Sequence, residues 1–271
     1  MFSRDRVEHW PLFVAGHTAV IVVVVVIARL SFGRGPGLLS FLHGWYPVAT
    51  IPASYLELSY LIPRIHPRDF DLQLAAIDYR VFGVHPTVWL ERVTSAPITE
   101  ILQLVYPTYY FLPIVLGAVL WRKGWFQRFD FWVFVIVAGF YLSYLGYIAV
   151  PAIGPRFLPD IVSAQTRPLE GIWLFETVRS TLDRAERITR DCFPSGHTEM
   201  TLLVLYYAHR FHRRTFFWLL PVGTGIILST VYLRYHYVVD VVAGFALAAI
   251  IAACAGWLYC LLGGRGMNTE R

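Results

Sequence analysis

Toward the C-terminal end of the 271-residue chain, "YLRYHYVVDVVAG" places His236 and Asp240 four residues apart. On a helix that spacing is one turn, so the two side chains share a face. A carboxylate so placed can bond one ring nitrogen of the histidine and fix its tautomer, leaving the other nitrogen as a nucleophile or base. Upstream, "CFPSGHTEM", Cys192 to Met200, supplies complementary parts. Pro194 and Ser195 suit a helix start, Gly196 lets backbone approach a ligand closely, and the free N–H groups of a first helical turn form an anion site. His197 stands next to that site, placed to give or take a proton. Singly, each feature has a bland counterpart: a His–Asp pair at this spacing arises by chance, and a histidine can sit beside a helix cap incidentally. Together they describe acid–base and nucleophilic chemistry on an anionic group.

The elements that must hold these residues are membrane helices. The chain is 56% hydrophobic and 16% aromatic with only 15% charged residues, and its mean hydropathy is +0.53, far from an ordinary soluble domain. A membrane helix needs roughly 20 mostly apolar residues, which predicts an all-α polytopic bundle of six or seven transmembrane helices, at about 12–32, 38–63, 98–121, 129–150, 197–213, 215–237 and 239–262. The second candidate is interrupted by prolines and the fifth is short. Arg4 and Arg6 precede the first apolar run, and no small-residue cleavage site follows "IARLSFGRG", so that run reads as a retained span. "RDFDLQLAAIDYRVFGVHPTVWLERV", residues 68–93, mixes charge with apolar residues at helical spacing and suits an amphipathic helix in the interface. Residues 151–193 form the longest polar connection, and "GIWLFETVRSTLDRAERITR" within it suits a surface helix. Nothing divides the chain, so residues 1–271 are expected to form one membrane domain, with a catalytic core over about 98–262 behind the N-terminal spans and the interfacial helix.

Charge inside a membrane span is costly and usually functional. Glu57, Glu100, Glu199, Arg234, His236 and Asp240 all fall toward span ends on one side, whereas a proton-coupled transporter would put such groups near the midplane. A rim location suits a catalytic site that takes lipid from the bilayer and a polar partner from water. The tight connections on the other side carry Arg122, Lys123, Arg128, Arg210, Arg213 and Arg214 with hardly an acid nearby, which assigns that side to the cytoplasm and the site to the non-cytoplasmic face of a plasma or inner membrane. His209 and His212 lie in the same basic region and read as headgroup-facing. The arginines form no stripe or tail, which argues against nucleic acid as a partner despite a pI of about 9.2. Three cysteines, Cys192, Cys254 and Cys260, are too few and too irregularly spaced to predict a disulfide framework or a zinc site.

"FPSGH" at a helix start followed by "H-x-x-x-D" at 236–240 resembles the second and third signature motifs of the phosphatidic acid phosphatase type 2 superfamily, over roughly residues 140–262. That superfamily includes lipid phosphatases, prenyl diphosphate phosphatases, inositol phosphorylceramide synthases, sphingomyelin synthases and vanadium haloperoxidases. The resemblance implies that His236 takes the phosphoryl group as a phosphohistidine, that Asp240 orients it, that His197 protonates the leaving oxygen, and that Ser195 with the Gly196 backbone holds the phosphate oxygens. It implies no metal and no cofactor. Two departures concern the phosphate cations. The third motif of the family opens with Ser-Arg, where this chain has Ser229 and Thr230 and carries its arginine at Arg234. The first motif holds a lysine and then Arg-Pro; here Arg156 in "VPAIGPRF" is the expected clamp, with Arg167 of "TRP" as the competitor.

These departures resemble the inositol phosphorylceramide synthase branch and leave open whether water, a polyol or a second lipid accepts the phosphoryl unit. Glu199 is expected either to bond acceptor hydroxyls or to complement the helix dipole. The resulting expectation is a membrane enzyme that cleaves a lipid phosphoester or diphosphate. The alternatives are a transferase of the inositol phosphorylceramide synthase kind and, from another class, a non-catalytic transporter or flippase. A vanadate peroxidase is disfavoured by the apolar spans. The sequence does not indicate an oligomeric state.

Overall fold

A computed structural model describes residues 7–31, 37–186 and 190–264, with the side chains of Ala185 and Glu186 left out; Arg4 and Arg6 lie outside this range. The described residues are helical with no strand, and the chain is an all-α polytopic membrane bundle. It divides into two compact units, Met1–Pro67 and Arg68–Arg271.

The first unit holds α1 (Trp10–Ser31), α2 (Leu38–Trp45) and α3 (Pro47–Ile65). Helix α1 is a valine-rich run of which no residue is buried, the property of a helix solvated by lipid on all sides. It meets α3 through a His17–Glu57 ion pair at 3.3 Å and a Phe13–Tyr60 ring contact.

The second unit begins with α4 (Asp71–Phe82) and α5 (Pro86–Trp89). Next come α6 (Ala96–Val105), a 3₁₀ turn and α7 (Leu112–Arg122), which together form one long rod, and then α8 (Phe126–Ala149). Two short helices, α9 (Pro159–Ala164) and α10 (Phe175–Glu186), lie in the long connection. The bundle closes with α11 (Gly196–Phe211), α12 (Arg213–Tyr232) and α13 (Val238–Leu261). Helix α11 is central: it packs against α7, α8, α12 and α13 and buries eleven of its sixteen residues. The approach of α13 is so close that a Cβ at Gly244 would stand 2.6 Å from the Ser195 carbonyl oxygen.

Five described helices are long and apolar enough to cross a membrane: 10–31, 96–122, 126–149, 213–232 and 238–261. The two expected spans that fall short do so for different reasons. Residues 38–63 are split into α2 and α3, the latter with Pro52 and Pro63 inside it. Helix α11 has 16 residues and carries Thr198, Glu199 and Thr201, all fully buried. A helix packed mostly against protein needs little apolar surface, so hydropathy undervalues it.

Helix α4 is amphipathic in an unusual sense. Its buried side carries Asp71, Leu74, Ala75 and Asp78, while Leu72, Ile77, Tyr79, Val81 and Phe82 are exposed. The carboxylates face protein and the large apolar side chains face outward.

Candidate active site

Ser195 ends the extended segment before α11 and caps that helix, its Oγ accepting from the Thr198 N–H at 3.3 Å and the Thr198 hydroxyl at 3.1 Å. Its own N–H donates to the Asp240 carbonyl at 3.0 Å, which ties the first turn of α11 to the first turn of α13. A side chain at Gly196 would collide with the Tyr147 hydroxyl, so the backbone there lies directly against α8.

His236 precedes α13 by two residues and is buried. Its Nδ1 lies 2.8 Å from the Cys192 carbonyl oxygen and 3.5 Å from Asp240 Oδ2. A carbonyl only accepts, so Nδ1 carries the proton and Nε2 holds the lone pair. The tautomer set by Asp240 in the sequence reading is therefore set here by the nearer Cys192 carbonyl. Asp240 Oδ2 also accepts from the Tyr237 N–H at 2.8 Å and the Cys192 thiol at 2.9 Å. Burial, and next the Asp240 charge, push that thiol well above its ordinary pKa and keep it a donor.

His197 lies across from His236 with ring centroids 5.8 Å apart. It is sandwiched between Tyr106 and Tyr109, at 4.3 and 4.1 Å, which fixes the ring plane without a hydrogen bond. Its buried Nε2 has no partner among the described residues. Glu199, expected at the rim, is instead fully buried against α8, where it accepts from the Ser143 hydroxyl and lies so close to Gly139 that a Cβ there would stand 2.6 Å from Oε1.

The arginines divide into two kinds. The Arg156 guanidinium lies over the ring of Tyr235, the neighbour of His236, at 4.5 Å, and pairs with Asp183 of α10 at 2.6 Å. Burial opposes its charge, but Asp183 and nearby tyrosines outweigh burial and raise its pKa, so it is a secured cation. Arg234 has left-handed backbone at φ 67°, and its guanidinium bonds Glu91 at 2.9 Å, Gln165 at 2.7 Å and the Arg167 carbonyl at 2.7 Å. These bonds tie the loop of Gln165 and Arg167 to Glu91. Arg167 directs its guanidinium to the Glu91 carbonyl at 3.4 Å. Arg179 of α10, not singled out by sequence, lies over Phe175 at 5.5 Å and bears electrostatically on both Arg234 and Tyr235.

Sequence reasoning also missed that a set of carboxylates accepts from backbone: Asp71, Asp78 and Glu91 were not singled out, and Glu100 was noted only for its place at a span end. Asp71 takes the N–H groups of Ile153, at 3.0 Å, and Gly154, at 2.8 Å, together with the Tyr237 hydroxyl at 3.0 Å. Asp78 takes the Val238 and Val239 N–H groups at the start of α13, at 2.8 and 2.9 Å. Glu91 takes the N–H and hydroxyl of Thr166, and Glu100 takes four successive N–H groups, Ile172 to Phe175. The loops that carry Arg156, Arg167, Arg179 and His236 are all fastened from the segment 71–100. The available signal was acidic residues recurring at helical spacing on an otherwise apolar stretch.

Matched to known families, residues 72–254 fit the model described as the PAP2 superfamily. The chain belongs to the PAP2 superfamily. The PAP2 match runs from α4 into α13 and so takes in the carboxylate segment, well before the motif-bearing stretch that starts near residue 140. A PA-phosphatase related-family protein of Dictyostelium discoideum is 28% identical over 184 residues, covering 61% of this chain and 32% of the relative. The PAP2 chain thus spans about a third of that relative's length. No solved structure matches it.

Proposed function

We propose that the chain is a membrane phosphatase or phosphotransferase acting on a lipid phosphoester or diphosphate through a phosphohistidine at His236. The observation that carries this reading is the pairing of the two histidines: His236 has its Nδ1 proton held by the Cys192 carbonyl, and His197 stands edge-on to it, ring centroids 5.8 Å apart, with an Nε2 that has no partner among the described residues. His236 Nε2 attacks phosphorus, and His197 in its protonated form delivers a proton to the leaving oxygen. Phosphorylation at Nε2 makes the imidazole cationic, and Asp240 Oδ2 at 3.5 Å balances that charge. The Gly196 backbone, the Ser195 hydroxyl and Arg156 bind the phosphate oxygens, as positioning and charge stabilisation require. In the second half reaction His197 takes a proton from the acceptor as the phosphohistidine is opened.

Acceptance by a polyol or a second lipid, as in inositol phosphorylceramide synthases, is favoured by one departure. Ser229 and Thr230 are buried and donate their hydroxyls to the Ile226 and Ile227 carbonyls of their own helix, so the position that carries a phosphate arginine in the hydrolases offers none here. Orientation follows the ends of the helices. His197 and His236 lie at one end of α11, α12 and α13, and Arg122, Lys123, Arg213 and Arg214 lie at the opposite end, which supports a site on the non-cytoplasmic face.

The test is phosphate release by purified protein from phosphatidic acid, prenyl diphosphate and a phosphatidylinositol phosphate, beside His236→Ala, in chelator. Release that vanishes in the variant is the expected result. Release that survives in His236→Ala removes the phosphohistidine. If no lipid is hydrolysed, the panel is repeated with inositol and ceramide as acceptors, and silence there too leaves a non-catalytic lipid transporter.

A further inference from the structure

Behind His236, on the side away from Nε2, three donor atoms of different chemistry converge. Cys192 Sγ is 3.6 Å from His236 Nδ1 and 2.9 Å from Asp240 Oδ2, and Nδ1 is 3.5 Å from Oδ2. A tetrahedral zinc ion bound through sulfur, nitrogen and oxygen has ligand-to-ligand edges of about 3.4–3.6 Å, calculated from bond lengths of about 2.0–2.3 Å. Two of the three edges are already in place, and the third opens by about 0.7 Å through a swing of the carboxylate. The other Asp240 oxygen, Oδ1, is buried and has no hydrogen-bond partner among the described residues, so the same carboxylate offers a fourth ligand atom. The three ligand atoms lie within 4.8 Å of one another, and each residue is buried.

We propose that Cys192, His236 and Asp240 form an inhibitory site for a thiophilic divalent cation, with zinc as the best fit. The proposal rests on His236 being the nucleophile. A thiolate, an imidazole and a carboxylate select zinc over magnesium or calcium. The two ligand charges neutralise the ion, as a dry interior requires. Binding moves two protons. The Cys192 thiol proton leaves to water as the sulfur becomes a thiolate. The imidazole proton moves from Nδ1 to Nε2, breaking the 2.8 Å hydrogen bond to the Cys192 carbonyl, and the ring turns off that carbonyl so that Nδ1 offers its lone pair to the metal. The ring stays neutral and its tautomer inverts. Nε2, now an N–H donor, has no lone pair with which to attack phosphorus. The cation thus turns the enzyme off without touching the phosphate site, and magnesium or calcium leaves it on.

The experiment uses the full-length protein with Cys254 and Cys260, both exposed, replaced by serine, so that Cys192 is the one thiol left. The protein is stripped with chelator and titrated with Co²⁺, whose thiolate charge-transfer and tetrahedral ligand-field bands report binding independently of activity. The expected result is one bound Co²⁺, displaced by Zn²⁺, with phosphate release falling along the same titration curve. Cys192→Ser should weaken the binding by about 100-fold or more, beyond the cost of losing an outer-shell partner. His236→Ala should also lose the bands while circular dichroism confirms the helical fold. A cobalt-free spectrum at saturating metal overturns the site, as does inhibition by Zn²⁺ that persists without bands or in Cys192→Ser. Bands that appear in a protein releasing no phosphate from any lipid or acceptor would instead sustain the metal site and overturn the catalytic reading on its own.

Discussion

Asp71 is the residue whose removal tests most directly how the site is held together. It is 7% exposed and its carboxylate accepts from three donors, the Ile153 and Gly154 N–H groups and the Tyr237 hydroxyl. Asp71→Ala leaves all three without their acceptor. An unsatisfied buried donor costs about 1–3 kcal/mol, so the loss of an acceptor for three of them should destabilise the fold by about 3–9 kcal/mol, a large share of the roughly 5–15 kcal/mol that holds a domain. The loop that is released carries Arg156, and the released tyrosine is the next residue after His236. Turnover should therefore fall along with stability. Asp71→Asn retains one acceptor oxygen for the Gly154 N–H and should recover about half of the lost stability. Thermal unfolding followed by circular dichroism in detergent, together with steady-state phosphate release at a temperature where every variant is folded, separates the two effects. Asp71→Ala that melts within about 1 kcal/mol of the parent and turns over at the parental rate refutes the idea that α4 positions the site.

Arg234→Ala should leave Glu91 as a buried carboxylate without its cation and cost about 3–5 kcal/mol in denaturant or thermal unfolding, with a smaller effect on KM than Arg156→Ala. A selective rise in KM with unchanged stability would return Arg234 to the phosphate. Gly154→Ala places a Cβ 2.6 Å from the Tyr235 carbonyl oxygen at a backbone φ of 107°, and should cost about 1–3 kcal/mol for the strained backbone before any clash, measured by the same unfolding assay. Phosphate release should persist in EDTA, since the proposed chemistry uses two histidines and an arginine; complete loss in chelator would count against the phosphohistidine.

The residues that do the proposed chemistry were legible in the sequence because their spacing is local. Ser195, Gly196 and His197 are consecutive, and His236 and Asp240 share one helical turn. What fixes them was not legible, because the partners are backbone groups brought from far away. The Cys192 carbonyl that holds His236 is 44 residues distant, and Asp78 reaches the first amides of α13 across 160 residues. Peptide groups leave no residue-type signature. Arg234 illustrates the opposite difficulty: adjacency to the motif marks it as a phosphate ligand, while its bonds to Glu91 and Gln165, made from a left-handed backbone, have no sequence signature. The bundle was readable wherever lipid demands apolar surface. It was legible at α11 too, where the expected 197–213 is met by a helix over 196–211, but neighbouring helices replace much of the lipid there and hydropathy marks it only weakly.

Helix α11 also has a consequence for how the chain is made. A segment of 16 residues containing a histidine, a glutamate and two threonines in its first turn and a half gains too little from hydrocarbon to leave the translocon for the bilayer unaided. A single residue, His212, separates it from α12, which is apolar enough to cross. The two helices must therefore integrate as a hairpin, with α11 drawn in by its successor and sheltered as α13 follows. Truncating the gene before α12 should leave the motif-bearing helix outside the membrane, so the proposed general acid reaches its place only after most of the protein has been synthesised.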